Sequence, residues 1–256
     1  MKNPCLSTPG TSGISIIIPT YNEARAIGAT LDVLASMPGI LEVIVVDGGS
    51  MDATVPIARV RGVRPLFAPR GRGIQLHVGA EAAHGDILWF VHADTHPPAD
   101  APGQIQAALG RSNIIGGCCA VRFDGTSRQA RFLTWLYARL RRLGLCYGDA
   151  TLFVRRTDYE QAGGFRPFPL FEDVDLVRRL RQRGQFNCLE CEAIVSSRRF
   201  DGRNFGLTLM SWMALQFLYW IGVPPHQLGR MYAPFRSLPR KIRARYSEHG
   251  WQAAHH

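Results

Sequence analysis

The run ISIIIPTYNE, residues 14–23, starts with isoleucines broken by one serine and ends in a proline and polar residues. A continuous β-branched run of this kind fits a strand buried on both faces, as in a parallel sheet covered by helices. Pro19 has no N–H to give a ladder and is expected to stop the strand. Helical spacing follows, with Ala26, Ile27, Leu31 and Leu34 on one face and an end near MPG. LEVIVV (41–46) reads as a second central strand, and a loop, DGGSMDAT, feeds a short helix ending near Arg59. RPLF, GIQLHVGAEAA and DILWFV then read as strand, helix and strand. This alternation predicts an α/β fold with a mostly parallel central sheet and helices on both faces.

Beyond HADTHPP the order changes. A helix is expected around APGQIQAALG, a strand over NIIGGCCAVRF, and an arginine-rich helix over 128–144. GDATLFVRR and GGFRPFPLFEDVDLVRRLRQRG supply a strand, a loop and a helix, and AIVS reads as a further strand. Ligands of such sheets bind at the carboxyl ends of the parallel strands. Residues 14–98 are therefore expected to form a nucleotide-binding half, and 99–203 the acceptor and catalytic half. Residues 1–13 read as a disordered lead-in without the apolar core of a secretory signal, so a cytoplasmic protein is expected.

Residues 204–256 form a C-terminal helical segment with a basic tail. Positions 205–223 carry no charge, which leaves a packed helix, a surface helix beside RKIRAR (240–245) and a membrane span all open. The net charge of +10, from 30 Lys+Arg against 20 Asp+Glu, points to an anionic partner. The runs RLRRLG and RRLRQRG read as solvated helix faces. Six cysteines are too few and too irregular for a disulfide framework. The C-x-x-C of CLEC (188–191) has no second pair to complete a tetrahedral zinc site. Reduced, mostly buried thiols are expected.

The polar signals gather at strand ends. Asp47 directly follows VIVV, where its carboxylate either accepts hydrogen bonds from a nucleobase or ribose or serves as a turn residue. Gly48 and Gly49 would let the backbone approach the ligand. Asp94 stands where a divalent metal on a nucleotide diphosphate would be held, since Mg²⁺ or Mn²⁺ needs only one or two carboxylates there. His92 and His96 either offer nitrogen ligands, which Mn²⁺ accepts more readily than Mg²⁺, or only hydrogen-bond the turn, and His96 reads as a turn residue. Glu172 and Asp173 open a helix whose dipole favours ionised carboxylates, and such a group can take a proton from a hydroxyl or merely cap the helix. Asp175, two residues on, diverges from that face and reads as structural. Arg72 in RGRG and Arg198 and Arg199 in SSRRF carry guanidinium forks suited to phosphate oxygens. Asp149 in YGDA borders an acceptor pocket or forms a turn.

SIIIPTYNE, EVIVVDGGSMDAT, DILWFVHADT, YGDATLFVRR, GGFRPFPLFEDVDLVRRL and SSRRF, in that order and spacing, resemble glycosyltransferase family 2 over about residues 14–200. HADT, YGD and WMALQFLYWIGVPPHQL look most like the subgroup associated with arsenosugar biosynthesis. The resemblance implies a GT-A fold, Rossmann-like, and an inverting, metal-dependent (Mn²⁺ or Mg²⁺) transfer from a nucleotide sugar, typically a UDP-sugar, to a hydroxyl on a small or lipid-linked acceptor. It implies that Pro19, Tyr21, Glu23, Asp47 and Arg72 line the nucleoside pocket and that Asp94 is the metal carboxylate of HAD, the counterpart of D-x-D. His92 replaces the usual first acid. Asp173 would be the catalytic base, and SSRRF stands near a Q-x-x-R-W segment whose Gln and Trp are absent here. A sugar-1-phosphate nucleotidyltransferase would instead want a basic glycine-rich loop directly after the first strand. A non-catalytic anion- or membrane-surface-binding protein would rely on the charge alone. No nucleic-acid partner is expected, and 205–223 with 240–245 are candidate contacts to the inner face of a membrane.

Overall fold

The computed structural model describes residues 11–142, 146–147, 150–196 and 205–232. The strands are β1 (Thr11–Thr20), β2 (Ile40–Asp47), β3 (Leu66–Phe67), β4 (Gly85–Phe90), β5 (Thr95–His96), β6 (Ile114–Phe123), β7 (Leu152–Arg155) and β8 (Gln185–Val195). The helices are α1 (Ile27–Ala35), α2 (Thr54–Val60), α3 (Arg72–Ala82), α4 (Ala101–Leu109), α5 (Arg128–Arg142), α6 (Arg156–Gln161), α7 (Glu172–Arg181), α8 (Phe205–Trp220) and α9 (Pro225–Met231). All eight strands join one sheet in the order β3-β2-β1-β4-β7-β6-β8-β5. The first four are mutually parallel, and β6 pairs parallel with β8, while β7 and β5 pair antiparallel with their neighbours.

The two-sided burial expected of ISIII has a direct counterpart. Ile14, Ile16 and Ile18 enter one apolar cluster with α1 and α4. Ile17 points to the opposite cluster, with α3, α5 and α7. Each of the four is fully buried, contributing on the order of 2 kcal/mol from burial alone. Pro19 does not stop the strand: β1 continues to Thr20, with Pro19 opposite Val46 and Thr20 opposite Asp47. Backbone groups of a parallel strand alternate between its two neighbours. Ile17 accepts from Val91 on the β4 side, and Thr20 accepts from Gly48 on the β2 side. The missing N–H of Pro19 thus faces the side where β4 has already left the ladder.

Further differences have simple causes. β1 starts three residues before the expected Ile14, because Thr11 already pairs with Gly85. AIVS is only the end of β8, whose alternating buried positions Leu189, Cys191, Ala193 and Val195 extend back into CLEC. β5 and α6 are too short, at two and six residues, to leave a periodic trace. The arginine runs are not uniformly solvated. Arg179 is largely buried and pairs with Asp175, and Arg141 donates to the Leu189 carbonyl.

At 16 residues, α8 is too short to span a bilayer, and among the described residues no helix is long and apolar enough to cross one. It packs on the domain. Tyr147 donates to Gln216 at 2.9 Å, and Phe171, Leu215 and Leu228 form a small core joining α7, α8 and α9.

Candidate active site

With the order β3-β2-β1-β4, the chain runs from β1 to β2 on one side and later adds β4 on the other. The crevice above β1 and β4 is therefore the topological switch point at which such sheets bind ligands. A cleft of about 210 Å³ lies there. Its walls are Pro19, Thr20, Tyr21 and Glu23 after β1, Arg70, Gly71, Arg72 and Gln75 at the start of α3, and His92, Ala93 and Asp94 after β4. Pro19, Tyr21, Glu23, Arg72, His92 and Asp94, singled out from sequence alone, thus share one cleft.

The loops forming it are stitched to each other. Asn22, in a left-handed conformation, donates its N–H to Ser50 and accepts from the Met51 N–H. Glu23 N–H donates to Thr54 Oγ1 at 2.7 Å, and Ala24 N–H to Asp52 at 3.1 Å. Asp47 is 1% exposed and stands behind the cleft lining. Its carboxylate accepts the Gly49 and Ser50 N–H groups, the Ser50 hydroxyl and the Thr20 hydroxyl. Of the two roles open to it, the geometry favours the turn. The glycines after it are required by the local packing. A Cβ on Gly48 would meet the Gln75 amide at 3.0 Å, while Gly49 needs its positive φ of 90°.

Gln75, buried on α3, donates to the carbonyls of Thr20 and Val46, both at 2.8 Å, and so ties the ends of β1 and β2. Sequence reasoning missed it. The available signal was a lone amide in the apolar stripe of a helix. Arg70, also missed, lies 3.8 Å from the centre of the Tyr21 ring, a cation-π stack that fixes the ring at the cleft wall.

Arg72 connects the cleft to the acids. Its Nε donates to Glu172, and its Nη2 to Asp173 at 3.1 Å. Both carboxylates are buried, at 2% and 4% exposure, while Arg72 remains partly open. Burial pushes the Glu172 carboxyl up from its ordinary range; the Arg72 guanidinium opposes that shift and the Asp173 charge adds to it. Gly73 makes the contact sterically feasible, since a Cβ there would lie 2.4 Å from the Arg166 carbonyl and 3.2 Å from the Glu172 side chain. The residue before the acids, Phe171, is left-handed at φ 63°, a conformation costing roughly 1–3 kcal/mol that surrounding contacts must hold. Its ring packs on Tyr219 of α8 at 4.7 Å. Asp175 is turned away and buried among Arg166, Arg178 and Arg179, as expected of a structural residue.

After β4 the chain brings His92 and Asp94 to the cleft and carries His96 off into β5, opposite Ile194 of β8. Among the described residues no third His, Cys, Asp or Glu ligand atom closes a shell around Asp94. That donor set does not make a protein-only metal cage. It fits an ion that takes its other ligands from phosphate and water. Asp149, Arg198, Arg199 and the 240–245 tail lie outside the described residues.

The model of the family named Glycosyl transferase family 2 matches residues 15–162. The chain belongs to glycosyl transferase family 2. The match spans the whole cleft but ends before Glu172 and Asp173, so their relation to the family 2 site rests on the Arg72 contacts. An undecaprenyl-phosphate 4-deoxy-4-formamido-L-arabinose transferase of Aeromonas hydrophila is 29% identical over 129 residues, 45% of this chain and 40% of that protein. A dolichyl-phosphate beta-glucosyltransferase of Drosophila melanogaster is 34% identical over 110 residues, 36% of this chain and 33% of that one. The chain thus spans less than half the length of these relatives. Among solved structures, glucosyl-3-phosphoglycerate synthase of Mycobacterium tuberculosis, in complex with Mn²⁺, UDP and phosphoglyceric acid, superposes with a TM-score of 0.61. The match has 22% identity and covers 83% of this chain and 80% of that one. The GT-A fold expected of a family 2 member is therefore the fold observed.

Proposed function

We propose that this chain moves a sugar from a nucleotide diphosphate sugar, a UDP-sugar, to an acceptor hydroxyl with inversion at the anomeric carbon. The observation that carries the proposal is the position of Arg72, which walls the switch-point cleft and also holds Glu172 and Asp173. Pro19, Tyr21 and Glu23 border the nucleoside, and Asp47 fixes the loop beneath it. Asp94, with His92 beside it, would hold Mn²⁺ or Mg²⁺, an ion that supplies positive charge to a diphosphate. The mycobacterial synthase, a more distant protein of the same fold, carries Mn²⁺ and UDP in its structure.

Asp173 accepts the proton of the acceptor hydroxyl as its oxygen bonds to the anomeric carbon. The bond from that carbon to the diphosphate oxygen breaks on the opposite face. Arg72 meets the negative charge that develops there. A diphosphate in the cleft competes with the carboxylates for this guanidinium, and as Arg72 turns to phosphate, the Asp173 oxygen becomes available to the acceptor. Asp149 would border the acceptor, and Arg198 and Arg199, in the segment that resembles Q-x-x-R-W, would meet phosphate oxygens.

A lipid-linked acceptor at the inner face of a membrane is the acceptor class we favour. α8 exposes Leu207, Met210, Met213, Phe217 and Trp220 at helical spacing, with Ile221 just beyond, and the relatives from Aeromonas and Drosophila are named for polyprenyl phosphates. The test of the catalytic proposal is UDP release from UDP-sugars in the presence of Mn²⁺. Release is expected to vanish with a chelator and in Asp94→Ala, and to fall by about 10²–10⁴ in Asp173→Asn. Full activity in Asp173→Asn would remove Asp173 from the chemistry.

A further inference from the structure

CLEC is not a chelating pair, because β8 splits it between the two sheet faces. Adjacent residues of a strand point to opposite faces, so Cys118 and Cys119 of β6 diverge. Cys118 pairs in register with Cys188. A register irregularity between Cys118 and Ala120 then brings Cys191 to Cys119, sulfur to sulfur at 3.0 Å. On the Cys118 face a third sulfur arrives from a different element, Cys146, between α5 and β7. Its sulfur lies 3.0 Å from that of Cys118 and 3.6 Å from that of Cys188, and the Cys118 to Cys188 separation is 3.6 Å. Three sulfurs from three segments thus lie within 3.6 Å of one another, an arrangement that a disulfide, using only two of them, does not explain.

We propose that Cys118, Cys146 and Cys188 bind a thiophilic d¹⁰ cation, Zn²⁺ or Cu⁺, at a site separate from the cleft. With metal–sulfur bonds of about 2.3 Å, an ion equidistant from the three sulfurs sits ~1.2 Å outside their plane, leaving one coordination position open. Soft thiolates select these ions over Mg²⁺ or Mn²⁺, so the site and the donor cleft would not compete for the same metal. A guanidinium stands beside the sulfurs: Arg181 Nη2 is 3.8 Å from the Cys146 sulfur. Cys118 and Cys146 are buried, and half-buried Cys188 leaves a way in. The bound ion would pin the α5 to β7 connection to the sheet beside Tyr147, whose hydroxyl is tied to α8 through Gln216.

Cobalt(II) titration of the reduced full chain tests this without reference to catalysis. One equivalent is expected to bind with a thiolate-to-cobalt charge-transfer band that zinc or Cu⁺ abolishes. Cys188→Ser should lose the band, Asp94→Ala and Cys191→Ser should keep it, and half-buried Cys188 tolerates substitution better than its two partners. Displacement by Cu⁺ but not by zinc would assign the site to Cu⁺, and the reverse to Zn²⁺. Absence of the band in wild type, its survival in Cys188→Ser, or a Cys118–Cys146 disulfide in a non-reducing peptide map would each overturn the proposal. None of these outcomes depends on whether UDP-sugars bind.

Discussion

Arg72 joins the cleft to Glu172 and Asp173 through contacts that individual substitutions can separate. Glu172 gives the pair a pH signature. Its carboxyl is raised by burial, against Arg72, so the folded protein holds that proton more tightly than the unfolded chain, whose glutamates titrate near ~4.3. The stabilising contribution is complete below that value and is lost as pH rises through the folded one. Glu172→Gln keeps the neutral form at every pH. Its urea midpoint, followed from about pH 4 to 8, should therefore gain on wild type as pH rises. Parallel profiles would mean that the folded protein holds the Glu172 proton no more tightly than the unfolded chain. Asp173→Asn, by contrast, should leave the fold intact while activity collapses, which circular dichroism alongside UDP release would register.

Among the elements, α3 organises the site, and its glycines make the point measurable. Gly73→Ala drives a methyl to 2.4 Å from the Arg166 carbonyl and should cost about 1–3 kcal/mol in urea unfolding while weakening the Arg72 contacts. Gly103→Ala, in α4 where a Cβ meets nothing within 4 Å, should stabilise by up to ~1 kcal/mol. Equal effects at the two positions would refute the packing argument. The parallel half of the fold was legible because runs such as ISIII and VIVV must be buried on both faces. Two-residue β5 left no trace, and Pro19 misled because its harmless orientation depends on where β4 ends. In the site, a strand end pointed to Asp94 and the glycine-rich RGRG segment to Arg72. The union of Arg72 with Glu172 and Asp173, 100 and 101 residues away, needed the approach of α3 to α7 that no local pattern encodes.

Across the whole molecule, the C-terminal segment serves two purposes. One side of α8 and α9 supports the strained Phe171 just before the acids, and the other leaves large apolar side chains exposed. Phe217→Ser with Trp220→Ser should reduce cosedimentation with anionic vesicles and leave UDP release from water-soluble assays unchanged; a loss of solution activity instead would assign the exposed face to folding. Every role proposed for the cleft residues depends on the cleft being a metal-assisted nucleotide diphosphate site. Its most direct test is the thermal unfolding midpoint of the protein with UDP or UDP-sugars, with and without Mn²⁺. Ligand bound at 100 times its Kd should add about 2.7 kcal/mol of stability, and the upward shift should require Mn²⁺ and vanish in Asp94→Ala. An unchanged midpoint with every nucleotide sugar, with and without metal, would contradict the donor assignment.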